Sequence, residues 1–407
     1  MNIAKPELLI PAGDIEKLET AIRFGADAVY VGAGNYSLRT MQTSFSIENL
    51  KEGLDIVHGK GKRLYLAMNI FVFDDDFEGM LKYLDEAVLL GIDGVIVSDP
   101  GLIALIRKRH KNLKIHLSTQ ANTLNTEAVK FWRDNGVKRI VLGRELSLEQ
   151  AKNIRKEVPD IELEMFIHGA MCMSYSGRCL ISKHINDRSA NRGECSMPCR
   201  WEYTMVESTR PQNDLTIQED ERGTYILNSK DLCMIEHIPE LINSGIDSFK
   251  IEGRMKTVYY VAIATKMYRK AIDSCFNNPK GYTHDAQWKT ELENISHRPY
   301  STGFFFGKEE ESLADSACLR GYDFVGMVIG SNPDNNEIEV EMRNGLKKED
   351  VFDIIDPSIE EILTVKALNI RKLSGEEVES AHNGFHGFVS LNKQFDVSNG
   401  ALLRRPN

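Results

Sequence analysis

Five cysteines gather within one stretch of an otherwise cysteine-poor chain: Cys172, Cys179, Cys195, Cys199 and Cys233, of seven in all. Their spacing is C-x6-C-x15-C-x3-C-x33-C. Thiolates are soft ligands, and four of them suit zinc or an iron–sulfur cluster. Structural zinc is usually gripped by two tight C-x2-4-C knuckles. Only Cys195 and Cys199 stand that close. Dispersed single cysteines point first to a cluster held in a cage of loops, with zinc and non-ligand thiols as the alternatives. Cys275, on an amphipathic stretch, and Cys318 read as ordinary buried thiols.

The same stretch is locally basic. Arg178, Lys183, Arg188, Arg192 and Arg200 face only Asp187 and Glu194, although the chain as a whole has a net charge of −10. Such a lip either recognises an anionic group, a phosphate backbone or a carboxylate, or is a solvated loop. Lys230, Lys250 and Arg254 would extend its positive field. The acidic total argues against a general nucleic-acid coat protein. Hydrolytic signatures are missing: there is no G-x-S-x-G and no H-E-x-x-H. His168 and His184 could each partner a cysteine, but no protease signature surrounds them.

These residues need a scaffold. Short apolar runs alternate with amphipathic stretches: ELLIPAG from Glu7, AVYVG from Ala28, RLYLAMN from Arg63, GVIVSD from Gly94, KIHLSTQ from Lys114, RIVLGR from Arg139, LEMFIHG from Leu163 and FKIEGR from Phe249. Such runs fit parallel strands buried on both faces. Eight of them with helices between predict an α/β fold, a (β/α)8 TIM-like barrel, ahead of an open doubly wound sheet. In DIEKLETAIRFG and NTEAVKFWRDNG the helical spacing is plain; the second sets Ala128, Phe131 and Trp132 on one face and Gly136 at its end. Most strand runs finish in a polar residue or glycine. Asn69, Asp99, Gln120, Arg144, His168, Glu252 and Arg254 thereby fall at the C-terminal strand ends, where barrel enzymes carry their chemistry.

The barrel is assigned to residues 1–280, with a cysteine-bearing insertion at about 170–230. That insertion holds a predicted hairpin of WEYTMVE and TYILNS. A connecting segment spans 281–317. Residues 318–407 show strand signals with frequent turns and no helical pattern, a small all-β barrel domain. Its ten Lys/Arg against fifteen Asp/Glu exclude a basic RNA-binding tail. No apolar run reaches the roughly 18 residues of a membrane span, and MNIAKPELLIPAG is no signal peptide. A cytoplasmic location with no membrane partner is the expectation, and reduced cysteines go with it.

EMFIHGAMCMSYSGRCLIS, Glu164 to Ser182, resembles the signature of the collagenase-like peptidase U-32 family. NSKDLC, FKIEGRMK and HRPYSTGFFFG resemble further blocks of it, so the likeness covers nearly the whole chain. Length and the β-rich C-terminal domain resemble most closely the family's tRNA-hydroxylating type. The resemblance implies an iron–sulfur enzyme that hydroxylates wobble uridine to 5-hydroxyuridine without oxygen gas, with prephenate as hydroxyl source. Its implied partners are the tRNA anticodon loop and a paralogue or second copy. The alternatives are a collagenase-like peptidase, as the family name says, and a cluster-bearing accessory protein.

Carried over, the ligands of a 4Fe–4S cluster are Cys172, Cys179, Cys195 and Cys233, with Cys199 in competition for one of the last two places. The strand-end residues Asp99, Gln120, Arg144, His168, Glu252 and Arg254 would hold the base and an anionic donor. Arg144 and Arg254 suit a dicarboxylate through paired hydrogen bonds. Glu252 and His168 could move protons.

Overall fold

The computed structural model of the chain describes residues 4–38, 44–172, 174–176, 178–200, 218–220, 223–225, 230–307 and 321–407. Eight parallel strands form in the predicted places: β1 (Glu7–Pro11), β2 (Ala28–Ala33), β3 (Arg63–Met68), β4 (Gly94–Val97), β5 (Ile115–Leu117), β6 (Arg139–Val141), β7 (Glu162–Ala170) and β8 (Ser248–Ile251). Each pairs with the next, and β8 pairs with β1, so the sheet closes on itself. A helix follows every strand, from Ile15–Arg23 after β1 to Val258–Asn277 after β8.

Local chemistry sets the helix starts. Asp14, Ser46, Asn125, Ser147 and Thr257 each accept a first-turn backbone N–H through the side chain. Asp99 does the same for Leu102 at 2.8 Å. It is therefore a helix cap and not a site residue. In Thr126–Asp134 the buried face centres on Val129, while Phe131 is 57 % exposed. The predicted apolar face is thus rotated, because Val129 and Trp132 are the residues turned toward the sheet.

Leu8, Ile10, Val29 and Val31 are fully or almost fully buried between strands and helices. Each such side chain stabilises the fold by about 1.5–3 kcal/mol. Inside the barrel, Leu9, Ala28, Tyr30, Tyr65, Ala67 and Ile96 form a separate apolar layer. Charged residues fill the rest. Arg139 donates to Glu7 at 2.6 Å and Glu164 at 3.2 Å, and Lys250 donates to Glu164 at 2.8 Å. Such ions are tolerable in the interior because every one is paired.

From Ala170 the chain enters the cysteine-bearing insertion, and it returns as a short strand, Asp231–Cys233, antiparallel to the end of β7. Within the insertion Gln218–Asp220 pairs with Gly223–Tyr225; the predicted first hairpin strand, WEYTMVE, lies outside the described residues. Cys318 lies outside them too.

Beyond residue 321 six antiparallel strands close a small barrel: Tyr322–Asn332, Glu337–Met342, Val351–Ile355, Leu363–Lys372, His386–Leu391 and Leu402–Pro406. It docks on the helix Val258–Asn277. Arg404, 2 % exposed, donates to Asp353 at 3.0 Å, to Glu291 and to the Tyr259 hydroxyl at 3.1 Å. Lys266 donates to the carbonyls of Asp356 and Ile359 at 2.5 and 2.6 Å.

Candidate active site

One cavity of about 150 Å³ opens at the C-terminal mouth of the large barrel. Its wall includes Asn69, Gln120, Arg144, Glu252 and Arg254 from the strand ends, with Lys250 below them. Cys172, Cys179, Cys195 and Cys199 line the same cavity, and none of the four is in a disulfide.

Glycines at two points let the ends of β7 and β8 approach. Gly169 has φ +104°, and a Cβ there would lie 2.4 Å from the Glu252 carbonyl oxygen. Gly253 has φ +149°, with the Tyr260 ring 2.6 Å from the place of its Cβ. The Glu252 N–H donates to the His168 carbonyl at 2.9 Å. The Tyr260 hydroxyl donates to the Glu252 carbonyl, also at 2.9 Å. The Glu252 backbone is thus fixed from two sides.

Arg144 packs 3.9 Å over the Phe166 ring, donates to the Ser176 hydroxyl at 2.8 Å, and reaches Glu252 at 3.4 Å. Arg254, 5 % exposed, donates to Ser37 at 2.9 Å. Lys250 lies 4.4 Å from the centre of the Tyr30 ring. Lys250 is answered by Glu164 beneath it, so among the described residues Arg144 and Arg254 face the one wall carboxylate of Glu252 and leave the cavity mildly electropositive within an acidic protein. Burial, and next the Glu252 charge, drive the Tyr30 phenol well above its ordinary range, so it stays protonated.

The cysteine loop is tied to three barrel loops. Asn122, in the left-handed conformation at φ 51°, donates to the Ser176 carbonyl at 3.2 Å and accepts from Arg178 at 2.8 Å. Arg144 holds Ser176 from the β6 side. Arg192 donates to Asp76 and to the Phe71 carbonyl beyond β3. Lys183 pairs with Asp187 at 2.5 Å. Part of the basic lip thus anchors the loop: Arg192 through its ion pair and Arg178 through its Nε take partners from elements outside the segment, while the Arg178 side chain stays exposed.

Two other expected site residues lie off the cavity wall. His168 is 1 % exposed and does not line the cavity. Its ring lies among Tyr260, Tyr268 and Tyr300, with centroids 5.8, 5.4 and 5.4 Å away. Burial holds its pKa down at about 3, a neutral imidazole unsuited to proton transfer near neutral pH. Cys233 is also buried away from the cavity, its Sγ 3.8 Å from the Tyr268 hydroxyl. Burial pushes its thiol up to about 11. Cys199 lines the cavity and Cys233 does not. Tyr30, Ser118, Phe166, Ser176 and Asn191 line the wall without having been singled out from sequence; only their nearness to strand ends and to the cysteines signalled them.

Among the described residues no three His, Cys, Asp or Glu side chains converge on a point that a single metal ion could fill. A polynuclear cluster makes a different demand: each corner iron takes one thiolate, so the four sulfurs surround a body and do not meet. Four cysteines around one cavity, in an electropositive setting that offsets the charge of a thiolate-bound cluster, fit that donor set.

The model of peptidase family U32 matches residues 13–315, and that of the peptidase family U32 C-terminal domain matches 320–404. The chain is 39% identical to tRNA hydroxylation protein P1 of Bacillus subtilis, over 93% of this chain and 90% of that one. It is 37% identical to tRNA hydroxylation protein P of Haemophilus influenzae, over 98% and 96%. A collagenase of Porphyromonas gingivalis is 32% identical over 76% and 75%.

Proposed function

The chain belongs to peptidase family U32, and from that membership we propose that it is a tRNA-modifying enzyme. Its reaction is the oxygen-independent hydroxylation of wobble uridine to 5-hydroxyuridine. The observation that carries the reading is a single cavity lined by Cys172, Cys179, Cys195 and Cys199 together with Arg144, Lys250 and Arg254. The names of the relatives support the substrate class.

Cys172, Cys179, Cys195 and Cys199 would hold a 4Fe–4S cluster, with Cys233 left as a buried thiol. When bound, the cluster supplies one-electron chemistry next to the cavity. In the overall reaction the uridine C5–H bond gives way to C5–O, a two-electron oxidation of the base. Prephenate, as the hydroxyl source, loses its ring C–OH bond and gains a C–H bond at that carbon, so it takes up the two electrons and the proton released from C5. Arg144 and Arg254 are the partners for its two carboxylates. Glu252 lines the cavity and would accept the proton leaving C5. An anticodon base is unpaired, so it can be splayed into the mouth at modest cost.

The peptidase alternative finds less support. A cysteine hydrolase needs a histidine within hydrogen-bond reach of its thiol. His168 is shut in its tyrosine cage, and His184 is exposed on the helix Ile181–Asn186.

The test is mass spectrometry of tRNA nucleosides from cells lacking this chain, with and without complementation. Loss of 5-hydroxyuridine and its derivatives, restored by the gene, is expected. Unchanged levels would overturn the reading, and peptide cleavage by the purified chain would favour the alternative.

A further inference from the structure

Two amide side chains of the cavity wall carry unspent hydrogen-bonding groups. Gln120 is 3 % exposed and Asn191 8 %. Gln120 Nε2 and Asn191 Oδ1 are buried with no hydrogen-bond partner among the described residues, and both residues line the cavity. A buried amide group without a partner costs free energy comparable to a lost hydrogen bond, so such groups call for an explanation.

The orientation of Gln120 is set by its neighbours. Ser118 Oγ accepts from Asn69 Nδ2 at 3.3 Å and from the Gln120 backbone N–H at 3.4 Å. Its own hydroxyl proton is then donated to Gln120 Oε1, 3.2 Å away. With Oε1 engaged, Nε2 is the end of the amide left over. Asn69 is held at both ends of its amide, because its Oδ1 accepts the Leu38 N–H at 3.2 Å. It acts as a buttress for Ser118 and hence for Gln120. Thr119 is spent likewise on the Leu142 carbonyl at 3.2 Å.

We propose that Gln120 and Asn191 form the specificity-determining pair for the target base, reading the imide edge of uracil as one donor and one acceptor. This rests on the reading of the site as a uridine-modifying one. The uracil O4 accepts from Gln120 Nε2, and the uracil N3–H donates to Asn191 Oδ1. Cytosine in the same pose sets its exocyclic amine against the Gln120 amine and its N3 lone pair against the Asn191 oxygen. Both contacts then become repulsive, and discrimination comes from unpaired buried groups as much as from the bonds made. The carbon that carries the new hydroxyl is next to the carbonyl held by Gln120. The pair therefore places C5 as well as selecting the base. Tyr30, Ile96 and Phe166 give the base an apolar wall.

The test measures binding of two short anticodon stem-loop RNAs, alike except for uridine or cytidine at the wobble position, to the anaerobically purified full chain. Wild type should prefer the uridine RNA by roughly tenfold or more. Gln120→Glu replaces the donor by an acceptor and should abolish or reverse that preference while iron content stays unchanged. Asn191→Ala keeps the backbone carbonyl that holds Phe71 and should reduce the preference without reversing it. A wild-type chain that binds both RNAs equally, or neither, would overturn the proposal. So would an unchanged preference in both variants. If cells lacking the chain still lose the hydroxylated uridine and regain it on complementation, the failure is of this pair alone and the modification reading stands.

Discussion

Arg192 closes a two-point ion pair on Asp76, with Nη1 2.7 Å from Oδ2 and Nη2 2.9 Å from Oδ1. The pair joins the cysteine loop to the turn after β3. Its hydrogen bonds hold the Asp76 carboxyl below the usual carboxylate range. Because Arg192 is committed to this contact, it is not available to a phosphate. Arg192→Ala should cost about 1 kcal/mol in denaturant unfolding. It should leave the salt dependence of tRNA binding unchanged. A reduced salt slope would return Arg192 to the docking surface.

Cysteine replacements separate the two ligand sets. Cys172→Ala and Cys199→Ala should each bleach the broad visible absorption near about 400 nm expected of a thiolate-bound iron–sulfur centre. Cys233→Ala should keep the colour and lose only about 1 kcal/mol of packing. Iron and sulfide assays under nitrogen provide the check. A colourless Cys233→Ala beside a coloured Cys199→Ala would restore Cys233 as ligand.

His168 gives a pH dependence with a definite sign. Its folded pKa is depressed to about 3 by burial, against 6.5 for the free side chain. The unfolded chain therefore binds the extra proton first as pH falls. The contribution is fully present above about 6.5 and is lost progressively from there toward about 3. Between pH 7 and pH 5 this one group should remove roughly 2 kcal/mol. His168→Phe should flatten that part of the stability curve in urea titrations. An equally steep curve would place the acid sensitivity elsewhere.

Arg404 tests the seam between the two barrels. Arg404→Leu leaves Glu291 and Asp353 facing each other without their shared cation. A loss of about 3–5 kcal/mol is expected for stranding buried charge. Calorimetry should show a lowered transition, and the double variant Arg404→Leu with Glu291→Gln should recover part of it.

Much of the scaffold was legible. The eight strands announced themselves because a strand buried on both faces is apolar throughout, and helix ends at Gly25, Gly91, Gly136 and Gly245 adopt positive φ that glycine permits. The site was legible only in part. Alternation along β7 groups His168 with Glu164 and Phe166 on the inner face. The pairing slips there: Phe166 faces Lys250, but His168 faces Ile251, so β7 carries one extra residue. A bulge of this kind reverses side-chain direction and leaves no mark in composition. Asp99 was misread because a cap and a strand-end acid occupy the same position in the chain. The partners of Arg192 and Cys233, Asp76 and Tyr268, are joined to them only by the closed barrel.

The return of the chain beside its own exit has a wider consequence. The insertion leaves at Ala170 and re-enters at Asp231, which is paired with Ala170 itself. The interlude between them is closed by a doorway one residue pair wide, so the barrel's circumference does not depend on its length. Loop closure grows only logarithmically, and doubling such an excursion adds about 0.6 kcal/mol. The mouth of this scaffold can thus be refurnished, lengthened or shortened for a new substrate while the strands beneath keep their register.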